Sequence, residues 1–172
     1  YVSILTGNAD NTNPTEKVRI DASGDLLYTN NDRNYASWYK SPTNSSSNAA
    51  TSNSEELKFG TAVLANSAYN ASNGRYTAPV DGLYYVRCNG LIDNNAAAGG
   101  KELKIYKNGS HYGAQIAYNQ ITSSHYLMMS GTGIVYMSAN DYITIYGSAG
   151  MHVSNETNLI VYLIRATIWW LW

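Results

Sequence analysis

Three histidines, one cysteine and a thin scatter of carboxylates are the side chains in this 172-residue chain that could do chemistry. His111, His125 and His152 stand far apart on different predicted segments. None has the spacing from which zinc sites are built, so they read as surface or partly packed residues. Glu55 and Glu56 are adjacent and, in an extended chain, face opposite ways, which makes them a poor acid/base pair. Asp93-Asn94-Asn95 offers the oxygen donors that calcium takes, but three polar residues in a row are first of all a loop. Cys88 follows Tyr84-Tyr85-Val86-Arg87, the setting of a buried structural thiol; as the only cysteine it leaves no internal disulfide. The sequence has no Gly-x-Ser-x-Gly elbow, phosphate loop or helix-loop-helix calcium loop. The expectation is a protein with no catalytic residues, no metal and no cofactor. Carboxylates assembled from distant strands or neighbouring protomers, as in a glycan-cleaving tailspike, stay open as an alternative.

Composition points away from charge-driven partners. Only 13% of residues are charged and the formal net charge is −1, with Lys and Arg scattered, so neither nucleic acid nor an anionic membrane is an expected partner. The surface must instead be built of amides, hydroxyls and the phenols of 16 tyrosines, groups that suit adaptable contact surfaces. The apolar stretch from Leu159 to Trp172 is interrupted by Arg165 and too short to span a bilayer as a helix. Its Val, Ile, Tyr and Trp content predicts a buried strand with an aromatic end. The chain begins at Tyr1 with no signal-peptide pattern, which reads as a fragment or a processed chain.

The elements that must position these residues are short and β-rich. Residues 1–34 hold two small apolar patches, Val2 to Leu5 and Val18 to Ile20, and predict a β hairpin or connector too small for its own core. Ser41 to Ser54 has no apolar period and predicts a long surface loop. From Leu57 onward, apolar runs alternate with turn residues: Leu57 to Leu64, Gly82 to Leu91, Glu102 to Tyr106 and Ile116 to Tyr118. The series continues with Tyr126 to Met129, Gly133 to Met137, Tyr142 to Tyr146 and Leu159 to Ile168, a rhythm that predicts an all-β sandwich or barrel in residues 35–172. Asn108-Gly109 after Leu103-Lys104-Ile105-Tyr106 is a tight-turn signal, since both residues tolerate positive φ.

One constellation is sharper than generic β. Gly74-Arg75-Tyr76-Thr77-Ala78-Pro79-Val80-Asp81-Gly82-Leu83-Tyr84-Tyr85 resembles the signature of the globular head of complement C1q and its relatives. Leu103 to Gly109, Ser130 to Met137 with Asp141 to Ile145, and Leu159 to Ile164 resemble, in order, that family's later strands. The resemblance covers residues 35–165 and implies a C1q-like jelly roll of about ten strands that assembles as a homotrimer. Its signature positions here are Gly74, Tyr76, Ala78, Pro79, Gly82, Tyr84, Asn108, Gly109 and Asp141. Pro79 cannot donate to a central ladder and marks the start or edge of a strand, Gly82 permits the bend that follows, and Asp141 closes a turn.

Lys17 to Gly24 resembles a short β motif found upstream of such heads in phage tail fibres and related virion proteins, and no Gly-X-Y stalk is present. The resemblance therefore implies a virion structural or recognition module: a tail-fibre tip on a host glycan or protein, or a capsid fibre, joined to other virion proteins through the N-terminal segment. A secreted complement-like or cytokine-like trimeric ligand is the alternative. The chain runs past the family's closing strand into Trp169-Trp170-Leu171-Trp172, an apolar patch that a monomer would expose. Trp169, Trp170 and Trp172, with Tyr162 on the closing strand, are accordingly expected at the trimer interface. Any partner contacts are expected on the loops, chiefly Ser41 to Ser54 and Asp93 to Gly100.

Overall fold

A computed structural model of the chain describes residues 2–6, 15–20, 26–28, 37–42, 48–50, 55–65, 67–94, 96–113, 115–122, 125–148, 151–152 and 155–166. Two compact units emerge, Tyr1–Asn34 and Tyr35–Trp172. In the first, β1 (Val2–Thr6), β2 (Thr15–Ile20) and β3 (Leu26–Tyr28) form an antiparallel sheet in the order β1-β2-β3. Ile4 lies opposite Val18 and Val18 opposite Tyr28, so the two apolar patches of the sequence pair with each other.

The second unit contains β4 (Ser37–Pro42), β5 (Asn48–Ala50), β6 (Glu55–Leu57), β7 (Phe59–Leu64), β8 (Tyr69–Asn70), β9 (Arg75–Thr77) and β10 (Gly82–Ile92). These are followed by β11 (Gly99–Lys107), β12 (Ser110–His111), β13 (Ala117–Ile121), β14 (Leu127–Met137), β15 (Tyr142–Gly147), β16 (Met151–His152) and β17 (Asn158–Ala166). They make two seven-stranded sheets. The front sheet runs β5-β16-β10-β17-β4-β7, with β14 along the other side of β10; the back sheet runs β12-β11-β15-β9-β8, with β13 on β11 and β6 on β15.

Period-two alternation builds the core. In β10, Tyr84, Val86, Cys88 and Ile92 point inward, joined from the front sheet by Met129, Val135, Met137, Leu159 and Val161. The back sheet answers with Tyr76, Leu103, Ile105, Ile143 and Ile145, and all of these side chains are buried. Each contributes about 1.5–3 kcal/mol relative to exposure. The sheets approach closely where a glycine faces a large residue: a Cβ on Gly133 of β14 would lie 2.8 Å from Ile105 Cδ1 of β11.

Two expectations change. Tyr126 to Met129 and Gly133 to Met137 are not separate strands; β14 is continuous and pairs with β10 over all eleven residues, from Gly82 opposite Met137 to Ile92 opposite Leu127. Gly131, between the two predicted runs, is there for space, because a Cβ on it would lie 2.5 Å from Ile116 O. Nor is Ser41 to Ser54 all loop: β4 extends to Pro42, and β5 pairs through Ala50 with Met151. Strands can lack an apolar period when the pairing itself holds them.

Candidate functional site

The residues that could do chemistry do not converge. His111 lies on β12, its ring 5.6 Å from Tyr106. His152, on β16, is not isolated: its Nε2 lies 3.5 Å from Oδ2 of the buried Asp93, and Tyr126 meets its ring edge-on at 5.7 Å. Its Nδ1 is buried with no hydrogen-bond partner. Glu56, on β6, is half-buried, and burial raises its carboxyl pKa while Lys58 and Arg75 oppose the rise. Burial pushes the Cys88 thiol up to about 12, so it is protonated at neutral pH. Among the described residues no three His, Cys, Asp or Glu side chains group as metal ligands.

The signature residues form one structural corner. Gly74 has φ +68°, and a Cβ on it would lie 2.9 Å from Leu57 O. Tyr76 and Tyr84 are fully buried and meet edge-to-face at 5.8 Å. The Tyr84 hydroxyl donates to Val80 O at 2.8 Å, clamping the bend in which Pro79 is exposed and after which Gly82 opens β10. Ala78 donates its N–H to Asp141 O and accepts from Asn140 N–H, both at 2.8 Å. Across the sheet, Asn108 (φ 50°) and Gly109 (φ 80°) turn β11 into β12. Asp141 ties the two turns together, accepting from Asn108 Nδ2 at 2.7 Å and from Ser138 N–H and Lys107 Nζ at 2.9 Å. These contacts hold the corner of the fold together.

The outward face of the front sheet is different in kind. Ile134, Tyr85 and Tyr162 sit opposite one another on β14, β10 and β17, forming one row across three strands. The Tyr85 and Tyr162 rings stack at 4.9 Å. Ile134 remains 61% exposed, Ile164 48%, Met128 45%, Tyr162 40% and Leu83 39%. The exposed Arg87 opposite Thr132 bounds the row, followed by a polar rung where Ser130 Oγ donates to Asn89 Oδ1 at 2.8 Å and Asn89 Nδ2 to Asn158 Oδ1 at 3.4 Å; Met128 lies beyond it. An antiparallel sheet needs only one apolar face for its core, and this one carries an apolar row on its outward face as well.

No family model matches the chain, and no curated protein matches it. Solved structures do. The globular domain of zebrafish complement 1qA is 18% identical, with a TM-score of 0.59 over 77% of this chain and 98% of that one. Murine APRIL at pH 8.5 is 18% identical, with a TM-score of 0.51 over 74% of this chain and 98% of its own. At pH 5.0 it is 13% identical, with a TM-score of 0.50 over 73% and 95%. The fold is a C1q/TNF-like jelly roll.

Of the residues expected at an interface, Tyr162 lies on the exposed apolar row, whereas Trp169, Trp170 and Trp172 fall outside the described residues. Ile134, Tyr85, Leu83 and Ile164, which share that outward face, were not among the expected residues. The signal was present in Leu159-Ile160-Val161-Tyr162-Leu163-Ile164, an unbroken apolar run on a strand that only one sheet face can bury.

Proposed function

We propose that the chain is a non-enzymatic recognition module that associates with two further copies of itself through the outward face of its front sheet. The observation that carries this reading is the row Ile134-Tyr85-Tyr162, with Leu83 and Ile164 beside it, standing in water on a domain whose core is complete without it. Covering such a patch is worth about 25 cal/mol per Å² of apolar surface, and aromatic rings supply much of the area. A closed ring of copies covers one patch per chain, and loops at the ends of the sandwich remain free for a partner. Among the described residues no helix is long and apolar enough to cross a membrane.

Two settings suit such a module, each with its own support. The likeness to the complement 1qA globular domain and to APRIL favours a secreted complement-like or cytokine-like ligand. The Lys17 to Gly24 motif, in a stretch of sequence without a Gly-X-Y repeat, favours a phage-type tail-fibre tip or capsid fibre. Mass spectrometry of the native protein separates them. Glycans at Asn44, Asn70, Asn108 or Asn155 mark a eukaryotic secretory route, and bare masses together with imaging of the chain on a particle mark a virion. Carboxylate-dependent release of reducing ends from a polysaccharide would overturn the non-enzymatic reading altogether.

A further inference from the structure

The outward face of the back sheet carries a second, chemically distinct surface. Its centre is a row that crosses four strands with a diagonal step between β11 and β15: His111 on β12 opposite Tyr106 on β11, then Tyr146 on β15 opposite Glu56 on β6. Tyr106 and Tyr146 stack at 4.0 Å, and the Tyr106 ring continues to His111 at 5.6 Å. Beside the row, the Arg75 guanidinium covers the Tyr142 ring at 4.1 Å from its centroid. Thr144 lies between Tyr142 and Tyr146 on the outward side of β15, directly opposite Tyr106. It nevertheless keeps only 3% of its surface, because the packed rings close over it.

The face is dry beneath and polar on top. Its phenols, imidazole, carboxylate and guanidinium recur about once per strand, at about 4.8 Å, close to the length of one sugar unit. Charges of both signs are interleaved in it: Glu56 beside Lys58 and Arg75, and Glu102 paired with Lys104, which lies opposite Tyr146. A row that offers aromatic carbon together with donors and acceptors, with each carboxylate beside a cation, matches a ligand with hydroxyl rims and C–H faces and no charge of its own.

We propose that the row His111-Tyr106-Tyr146-Glu56, flanked by Tyr142 and Arg75, binds a linear neutral glycan along its length. This rests on the recognition reading above and gives it a site and a ligand class. The apolar front face joins copies, and the polar-aromatic back face stays outward on each copy to engage the sugar chain. A proline-rich peptide is the rival occupant of an aromatic row, but it supplies no hydroxyls to meet the carboxylate, imidazole and guanidinium. Burial holds the Tyr146 phenol pKa above its ordinary value, with the Glu56 charge adding to the rise, so the phenol keeps its O–H as a donor at neutral pH.

The test titrates the full chain with neutral trisaccharides (cellotriose, maltotriose, mannotriose and chitotriose) by saturation-transfer NMR, with assembled mass and melting recorded on the same samples. The expected result is saturable binding of at least one trisaccharide, weakened about tenfold or more by Tyr106→Phe with Tyr146→Phe and by Glu56→Gln. Phenylalanine keeps the stacking and removes only the hydroxyls, so a row that merely packs the sheet would show no change. The proposal is overturned if no trisaccharide saturates, if affinity is the same in the double Phe variant, or if a proline-rich peptide binds the row instead. A double Phe variant with altered assembled mass also overturns it, since the face would then join copies. Assembly without sugar binding sinks this proposal and leaves the assembly reading intact, and sugar binding by a monomer does the reverse.

Discussion

Replacing Asp141 with Asn removes the negative charge from the corner that joins the β11–β12 hairpin to the turn before β15. Asn108 first, then Lys107, with help from Ser138 N–H and against burial, hold the Asp141 carboxyl down from 3.8 to about 2. That drop corresponds to about 2.5 kcal/mol at about 1.4 kcal/mol per pH unit. The side chain keeps 21% of its surface and lies at the rim of the hairpin, where water screens it. We therefore assign about 1 kcal/mol to the pH-dependent part. Because the folded value is depressed, this contribution is complete above 3.8 and is lost as pH falls to about 2. Denaturant unfolding of the wild type and Asp141→Asn, at fixed protomer concentration, should show a gap at neutral pH that narrows by about 1 kcal/mol across that window. Subtracting the two curves removes the other carboxylates from the comparison. A gap of constant size down to pH 2 would refute the electrostatic assignment and leave Asp141 as a neutral hydrogen-bonding residue.

Three further outcomes follow from the core. Tyr84→Phe leaves Val80 O without its 2.8 Å donor and should cost about 1 kcal/mol, against about 3–5 kcal/mol for Tyr84→Ala, both read by calorimetry. Cys88, whose thiol pKa is pushed up to about 12 by full burial, should resist a disulfide reagent in the native protein and react only after denaturant; prompt labelling at neutral pH contradicts this. Gly131→Ala brings a Cβ to 2.5 Å from Ile116 O, a backbone atom that cannot swing away, and should destabilise by about 1–3 kcal/mol in thermal melts.

The sandwich was legible because alternation writes itself into strands with one wet face: the predicted run Gly82 to Leu91 is β10 to within one residue. Asn108-Gly109 announced its hairpin because positive φ is something few residues supply. The runs Tyr126 to Met129 and Gly133 to Met137 looked separate because the stretch between them, Ser130-Gly131-Thr132, is not apolar; Gly131 there makes room for a neighbouring backbone within one strand. The apolar front face escaped notice because a strand apolar on both sides reads simply as a buried strand, and only the sheet order shows that one side has nothing over it. The back row was harder still. Its residues come from β6, β11, β12 and β15, and nothing in their spacing along the chain brings Glu56 beside Tyr146.

Sedimentation of the wild type beside the double variant Ile134→Lys with Tyr162→Lys tests the assembly claim most directly. Both positions are exposed on one copy, so lysines there leave the core untouched while placing charges in the middle of the proposed interface. The wild type should sediment at three times the 18.9 kDa chain mass at micromolar concentration, and the variant as a folded monomer with unchanged β circular dichroism. A wild type that is monomeric under these conditions, or a variant that keeps the threefold mass, would contradict the account.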